Sequence, residues 1–245
     1  MAKICRSVFT VIQKITSTKR DYGMAQIAPL QKAALEERCI LVDELDRSVG
    51  DASKYDCHRV TKDGNIPLHR AFSVFLFNCN GDLLLQKRSA EKITFPGHYT
   101  NTCCSHPLAE IPGETLEDNA IGIRRAAQRR LTYELGISSS EIQPSDFFYI
   151  SRIHYFSMGN GIWGEHEIDY VLFVQKDNVT LDPNPDEVSE ILWVPRQKID
   201  DFACKINAPL TPWFQLILKH KLPLWWDNLK TLDKVQNHTV IERFL

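Results

Sequence analysis

Runs of apolar residues, separated by short polar segments, divide the first third of this chain into pieces of strand length. Residues 39–43 are mostly apolar, and the polar residues 44–51 that follow contain Gly50, a pattern typical of a strand and a turn. Residues 71–77 are apolar and aromatic, Asn80-Gly81 is a hairpin signal, and residues 83–86 return to an apolar pattern. We therefore predict a strand at 39–43 and a β-hairpin from 71–77 to 83–86.

A helical period follows in the middle of the chain. Thr115-Leu116-Glu117-Asp118 is similar to a capping box, and Gly136 is a typical helix end. Between them, apolar residues recur at intervals of three and four, at Ala120, Ile123, Ala127, Leu131 and Leu135. This pattern predicts one long helix of about five turns at ~3.6 residues per turn.

The second half again favours strands. Residues 147–156, 167–174 and 191–194 have strand patterns, and residues 213–221 have the pattern of a helix. Gly159-Asn160-Gly161 separates the first two of these strands. Strands that outnumber helices, with one long central helix, predict a mixed α/β fold.

Length and charge limit the function classes. The chain has 245 residues, 43% of them hydrophobic, enough for one substantial core, which we place at residues 35–230 with a C-terminal tail at 231–245. The formal net charge of −2 gives no general attraction for nucleic acid or an anionic membrane. No apolar run approaches the ~20 residues that a membrane-spanning helix needs. We expect a monomer that binds a small molecule.

Cysteine usage and the N-terminal residues bear on location. Seven cysteines, an odd number without paired spacing, indicate a reducing compartment such as the cytoplasm. Residues 1–24 read as a leader or tail, since the first 20 carry five basic residues and no acid. This composition is typical of a mitochondrial transit peptide but also of an ordinary basic tail, and Met24 offers an internal start.

Two segments carry residues suited to acid–base and metal chemistry. In residues 95–107, a Gly/Pro-containing loop, Cys103 and Cys104 closely precede His106, so that a thiol lies two residues from an imidazole. Residues 161–167 place Glu165 and Glu167 two apart, and on a strand both side chains would emerge from the same face. That spacing suits a metal ion.

These segments, with residues 69–77 and 124–131, closely resemble type I isopentenyl-diphosphate isomerases, and the resemblance extends from about Cys39 to Asn228. It implies a Nudix-type α/β/α sandwich with a mixed sheet, formed by a single catalytic domain. It also implies an isomerase of isoprenoid and sterol biosynthesis that moves one double bond of isopentenyl diphosphate through a tertiary carbocation. Such a reaction needs one proton delivered and another removed.

The resemblance assigns the proton transfers to Cys104 and Glu167. It places Tyr155 beside Glu167 as an assisting group and Trp213 against the carbocation, where an indole face is worth ~2 kcal/mol or more when desolvated. Taken singly, a cysteine, tyrosine or tryptophan in an apolar segment is more often a packed core residue. Trp225 and Trp226 fit that core role better.

The resemblance also implies two metal ions. One would be held by three histidines and two glutamates, at His58, His69, His106, Glu165 and Glu167; imidazole ligands favour Zn²⁺ or Mn²⁺ over Mg²⁺. Glu134 would hold Mg²⁺ bound to the diphosphate. For Glu134 the alternative is a helical ion pair with Arg130, four residues earlier.

Four cations match the diphosphate contacts of the family, at Lys54, Arg88, Lys92 and Arg130. Without the resemblance, exposed Lys and Arg are more often solvated surface residues. Two other functions compete with the isomerase. A Nudix pyrophosphohydrolase is disfavoured because Arg130 and Tyr133 stand where its signature needs carboxylates, which leaves Glu134 alone. A non-catalytic zinc module is disfavoured because Cys103 and Cys104 are adjacent rather than in Cys-x2-Cys spacing.

Overall fold

A computed structural model describes residues 27–245. The predicted leader at residues 1–24 and the internal start at Met24 lie outside the described residues. The strands are β1 Arg38–Val42, β2 Ser48–Ser53, β3 His69–Phe77, β4 Leu83–Arg88, β5 Tyr99–Thr100, β6 Cys103–Ser105, β7 Phe148–Ser157, β8 Glu165–Gln175, β9 Val188–Val194 and β10 Ile241–Phe244. The helices are α1 Pro29–Ala34, α2 Lys54–His58, α3 Ile121–Leu135, α4 Ile199–Lys205, α5 Pro212–His220 and α6 Leu222–Asp227. Among these described helices, none has the length and apolar character needed to cross a bilayer.

A mixed sheet occupies the middle of the molecule, as predicted. Along its main path the strands follow the order β10-β7-β8-β3-β1-β2, with β3 and β8 parallel over nine residue pairs. β3 is buried along its whole length, and successive side chains enter opposite layers. Phe72, Val74 and Leu76 belong to the core layer that contains α3. Phe75 and Phe77 belong to the layer that contains α5 and α6.

Helices therefore cover both faces of the sheet, and the predicted α/β/α sandwich is confirmed. The apolar residues of α3 that predicted a helix, from Ile123 to Leu135, are the ones it buries against the sheet. α3 ends at Gly136, whose φ of 69° is the left-handed conformation that glycine adopts at little cost. Trp225 and Trp226 are buried in the opposite layer, in agreement with their predicted core role.

The start of α3 differs from the prediction. Thr115 does not cap the helix; a short 3₁₀ turn intervenes, and the N-cap residue is Ala120 in a left-handed conformation with no side-chain cap. The helix is therefore 15 residues long, about four turns rather than five. A capping-box pattern reports only local hydrogen-bonding capacity, whereas the actual start is set where Ala120 and Ile123 reach the core.

Two strand predictions need correction. Residues 44–51 are not only a turn, because β2 begins at Ser48 and pairs with β1. β2 is largely exposed and polar, so it has no alternation to reveal it; its hydrogen bonds to β1 define it. The predicted hairpin strands exist, but β3 and β4 pair only at Phe77 and Leu83 before β4 diverges to join β9.

The C-terminal residues also differ from the prediction of a tail at 231–245. β10 pairs in parallel with β7 and extends the main path of the sheet. Arg243 strengthens this attachment by an ion pair with Glu44 and a contact to His154. A single four-residue strand of half-buried side chains has no apolar pattern, so its assignment depends on the edge that β7 offers.

Candidate active site

Strand register brings distant residues of the predicted site together. In the sheet, Glu167 of β8 lies between His69 of β3 and Tyr155 of β7, which are its direct cross-strand neighbours. Cys104 of β6 lies opposite Ser73, four residues further along β3. Glu165 shares the face of Glu167 because strand side chains alternate, as the spacing of two predicted.

One cavity collects nearly all of the predicted residues. Its walls include the following: Lys54, His58, Arg88, Lys92, Cys104, His106, Arg130, Tyr155, Glu165, Glu167 and Trp213. His69 is fully buried and reaches this group through Glu167. Glu134 is buried next to the cavity but is not one of its wall residues. Seven of the helices and strands thus contribute predicted side chains to the walls of a single space.

Five of these residues form a cluster suited to a divalent metal ion. His58, His69, His106, Glu165 and Glu167 are all buried, and each offers one ligand atom within 4.8 Å of the others. Nδ1 of His58 lies 2.8 Å from the Lys54 carbonyl oxygen, and Nδ1 of His69 lies 2.9 Å from that of Pro67. Carbonyl oxygens only accept hydrogen bonds, so both rings carry hydrogen on Nδ1 and turn Nε2 toward the cluster.

Unpaired polar atoms in the cluster support the fit to a metal. His69 Nε2 and Glu165 Oε2 are buried without a well-aligned hydrogen bond among residues 27–245, although Glu167 Oε1 lies 3.4 Å from the first atom and His58 Nε2 lies 3.0 Å from the second. A buried polar atom without a partner costs free energy, which a coordinated cation would recover. The residues present therefore fit a divalent metal ion, with histidine and carboxylate ligands in one shell.

The electrostatics of the cluster agree with this interpretation. Burial opposes charge on His69, but attraction to the Glu167 carboxylate outweighs it and raises the pKa of His69 to about 9. Burial, with His58 and His69 nearby, lowers the pKa of His106 well below its usual range. A metal ion binds only the neutral ring, so its binding would release the proton held by His69.

Tyr155 completes the surroundings of Glu167. Its hydroxyl donates to Glu167 Oε2 at 2.5 Å, and His106 Nε2 lies 2.8 Å from Oε1 of the same carboxylate. Burial raises the pKa of Glu167, but the positive field of His69 and His58 and the Tyr155 hydroxyl lower it overall. Burial and the charge of Glu167 raise the pKa of Tyr155 well above its usual range, so this hydroxyl keeps its proton.

Cys104 presents its thiol to the same cavity, whereas Cys103 is fully buried in the core on the other side of the sheet. The alternation of β6 separates the two cysteines. Cys104 Sγ lies 3.0 Å from both Asn101 Oδ1 and Trp213 Nε1. Burial, then the charge of Asp169, raises the pKa of Cys104 to about 12, so the thiol is protonated near neutral pH.

Trp213 lies near the N-terminal end of α5 and forms part of an aromatic wall. Its ring centroid is 5.5 Å from that of Phe95 and 6.1 Å from that of Tyr155. The Arg88 guanidinium carbon lies 5.7 Å from the Trp213 ring centroid. An indole face held in this position can stabilise a cation in the cavity.

The four predicted cations line the cavity, and three of them are paired with carboxylates. Lys92 and Arg130 both contact Glu187, and Lys54 lies 3.1 Å from Glu37. Arg88 donates to the Thr94 carbonyl oxygen at 2.8 Å. Burial, then repulsion from Arg88, lowers the pKa of Lys92 to about 8 despite the contact with Glu187. Arg88 and Arg130 are buried and Lys54 and Lys92 are half-buried, so none of the four is the solvated surface residue that composition alone favours.

Glu134 lies in the ion pair that the sequence offered as its alternative. Arg130 Nη2 is 2.5 Å from Glu134 Oε1, and Gln86 Nε2 donates to Oε2 at 3.1 Å. Glu134 is not a member of the five-residue cluster. Its carboxylate therefore stays close to the cationic side of the cavity.

Sequence reasoning missed several polar residues of the site. Glu187 joins Lys92, Arg130 and Gln31 of α1, although α1 precedes the predicted start of the domain at residue 35. Ser73 Oγ lies 3.6 Å from Cys104 Sγ and donates to Asp169 at 2.8 Å. Polar residues inside the otherwise apolar runs of β3 and β8 were the available signal for Ser73 and Asp169.

The fold and this site define a Nudix-domain protein with a buried His/Glu cluster, suited to a metal ion, beside a thiol, and the NUDIX domain family matches residues 67–214. The fold is similar to the crystal structure of DR0079 from Deinococcus radiodurans, with a TM-score of 0.53 and 19% sequence identity over 76% of this chain and 99% of that chain. That likeness concerns the fold alone.

Sequence relatives identify the family more narrowly. Isopentenyl-diphosphate Delta-isomerase 1 of Bos taurus is 50% identical over 216 residues, which cover 87% of this chain and 94% of the relative. Isopentenyl-diphosphate delta-isomerase IDI1 of Gibberella zeae is 49% identical over 213 residues, which cover 85% of this chain and 83% of the relative. This chain belongs to the isopentenyl-diphosphate Delta-isomerase family, which confirms the resemblance and argues against both competing functions.

Proposed function

We propose that this protein interconverts isopentenyl diphosphate and dimethylallyl diphosphate by proton addition and proton removal through a tertiary carbocation. The observation that carries this proposal is that Cys104 and Glu167 line one cavity together with four cationic side chains. An isomerisation of this kind needs two acid–base groups and an anion-binding end within reach of one small molecule. Family membership supports the same reaction.

Cys104 and Glu167 are the two proton-transfer groups of the proposal. One adds a proton to the terminal alkene carbon, which leaves positive charge on the tertiary carbon. The other removes a proton from the carbon between that centre and the diphosphate-bearing carbon, and the double bond re-forms there. Protons and charge balance, because one proton enters and one leaves the five-carbon unit.

The surrounding residues have supporting roles. The Tyr155 hydroxyl donates a hydrogen bond to Glu167 Oε2 at 2.5 Å and so assists proton transfer at this carboxylate. Trp213 offers an indole face to the carbocation, worth about 2 kcal/mol in a desolvated pocket. Both side chains are buried, at 1% and 4% exposure, so the cavity keeps bulk water away from the cation.

The diphosphate would be held by Lys54, Arg88, Lys92 and Arg130. In the protein alone, the carboxylates of the buried Glu187 and the half-buried Glu37 balance part of this charge. A diphosphate carries more charge than one carboxylate and would compete for the same donors. Glu134 would hold Mg²⁺ on the diphosphate, since that cation prefers carboxylate and phosphate oxygens.

The five-residue cluster would hold Zn²⁺ or Mn²⁺. Bound there, the ion would lower the basicity of Glu167 and fix its orientation. His58, His69, His106 and Glu165 would hold it together with Glu167, and the Nδ1 hydrogen bonds of His58 and His69 fix the required tautomers. Removal of this metal ion should therefore reduce isomerisation while the cationic side chains still bind the diphosphate.

We propose that the protein is a monomer and that it acts in the cytoplasm. It would act in mitochondria if the basic residues among the first 20 form a transit peptide. The seven cysteines of the sequence, an odd number without paired spacing, favour a reducing compartment.

Deuterium incorporation tests the function directly. The purified protein with Mg²⁺ and Zn²⁺ or Mn²⁺ is incubated with isopentenyl diphosphate in heavy water, and both isomers are analysed by mass spectrometry. We expect dimethylallyl diphosphate to form with deuterium in the hydrocarbon part. Release of a monophosphate or inorganic phosphate at a matching rate, without isomerisation, would instead support a pyrophosphohydrolase.

A further inference from the structure

Asn101 lies in the turn between β5 and β6 and is fully buried. Asn101 is not among the described residues that line the cavity, so it lies behind the wall formed by Cys104 and Trp213. Its side chain nevertheless touches both of these residues. A buried amide in this place needs partners for two donors and one acceptor.

The orientation of the Asn101 amide follows from its partners. Nδ2 lies 3.0 Å from the Val74 carbonyl oxygen and 3.1 Å from the Cys103 carbonyl oxygen, two groups that can only accept. Oδ1 lies 3.1 Å from Trp213 Nε1, a group that can only donate. Both ends of the amide are therefore determined by chemistry, and the oxygen faces the thiol and the indole.

Three hydrogen-bond donors surround Asn101 Oδ1. Oδ1 lies 3.0 Å from Cys104 Sγ and 3.0 Å from the Thr100 hydroxyl, in addition to the indole nitrogen. A carbonyl oxygen has two lone pairs, so it serves two of these three donors well. Thr100 can instead donate to the Thr211 hydroxyl at 2.8 Å, so the thiol and the indole can both use Asn101 Oδ1. The indole nitrogen also lies 3.0 Å from Cys104 Sγ, so the side chains of Asn101, Cys104 and Trp213 are in mutual contact.

We propose that Asn101 is a positioning residue that orients the thiol of Cys104 and the indole of Trp213 at the same time. The Asn101 amide is held to the backbone of β3 and β6 through Nδ2. Its oxygen therefore has a fixed position, which determines the direction of the sulfur–hydrogen bond of Cys104 and the orientation of the Trp213 indole ring. The thiol and the cation-stabilising ring thereby keep a constant geometry relative to each other. This inference rests on the proposed isomerase function.

A purely structural role for Asn101 predicts different behaviour. Thr102, the next residue, provides the matched control because it is also fully buried in the same turn. Its hydroxyl donates to the Leu84 carbonyl oxygen at 2.6 Å and accepts from the Leu76 amide at 2.8 Å, and these bonds lead away from the cavity. Loss of either side chain should reduce stability, but only loss of Asn101 should disturb Cys104 and Trp213.

The test compares wild type, Asn101→Ala, Asn101→Ser and Thr102→Val, each with its metals. Thermal unfolding gives stability, steady-state isomerisation gives kcat and KM, and a proton–nitrogen spectrum of protein labelled in the tryptophan indole gives the Trp213 resonance. A Trp213→Phe spectrum identifies that resonance by its loss. Asn101→Ser retains a short hydroxyl that can serve a backbone carbonyl, and so guards against simple loss of folding.

We expect folded Asn101 variants to lose about tenfold or more in kcat, the effect of about one hydrogen bond, with KM changed less than about threefold. Their Trp213 indole resonance should shift, while Thr102→Val lowers the unfolding temperature but preserves kcat and the resonance. An unchanged kcat, an unmoved resonance, a Thr102→Val effect of equal size, or failure of both Asn101 variants to fold would each overturn the proposal. Absence of isomerisation in wild type would instead refute the proposed function, and the resonance would still report on the indole contact.

Discussion

Replacement of Tyr155 by phenylalanine isolates one contact of the proposed mechanism. The hydroxyl donates to Glu167 Oε2 at 2.5 Å, and the ring itself packs in the apolar layer next to Trp213. Tyr155→Phe removes the hydroxyl and keeps the ring, so packing is nearly unchanged. The substitution therefore removes a hydrogen bond to a charged group and little else.

The expected magnitude follows from that contact. A hydrogen bond to a charged partner contributes about 1.5–3 kcal/mol. If this contribution is made in the transition state, kcat should fall roughly tenfold to somewhat more than a hundredfold, at about 1.4 kcal/mol per factor of ten. KM should change little, since Tyr155 lies at the proton-transfer end and not among the cations.

Tyr170→Phe is the matched control for Tyr155→Phe. Tyr170 lies on β8 with its side chain on the opposite face of the sheet from Glu167, and its hydroxyl donates to the buried Asp46. Tyr170→Phe should lower the unfolding temperature and leave kcat unchanged. A Tyr155→Phe enzyme with kcat within twofold of wild type, measured with isopentenyl diphosphate at saturation, would refute the assigned role of the hydroxyl.

Five further predictions concern the site and the strands that support it. Cys104→Ala and Glu167→Gln should each nearly abolish isomerisation, and unchanged turnover in either would contradict the proton-transfer pair. Lys92→Ala should raise KM more than it lowers kcat, since uniform binding is lost; an effect on kcat alone would contradict this. Because the pKa of Lys92 is lowered to about 8, this side chain loses its charge above that pH, and wild-type kcat/KM should fall there. In Lys92→Arg the charge persists, so the fall in kcat/KM should move to higher pH. His69→Ala should remove the bound Zn²⁺ or Mn²⁺, as measured by elemental analysis, and retention of the metal would exclude His69 as a ligand. Gly164→Ala should cost about 1–3 kcal/mol in unfolding free energy, because its new methyl group would lie 2.4 Å from a carbonyl oxygen at the end of β7.

Local pattern predicted those elements whose own residues are buried. β3 and β8 were found because each contains a long, mostly apolar run, and α5 because Phe214 and Ile217 recur at helical spacing. β2 and β10 were not predicted because their side chains are largely polar, exposed or half-buried. Only their pairing with the edges of β1 and β7 makes them strands. The capping box before α3 failed for a related reason, since packing of the helix decided where it begins.

Motif spacing by itself was enough to predict a thiol near an imidazole and two carboxylates on one face of a strand. The same motifs were enough to predict the family. It could not show which atoms meet, because Cys104 and Trp213 are 109 positions apart and still make a 3.0 Å contact. Nor could it show that Glu187 and Gln31 join the cations, or that Asn101 serves both the thiol and the indole. Chemical capacity belongs to side-chain type and local spacing, which the sequence determines. Distance, burial and pKa depend on strand register and on the layers packed against the sheet, and only the tertiary structure decides these.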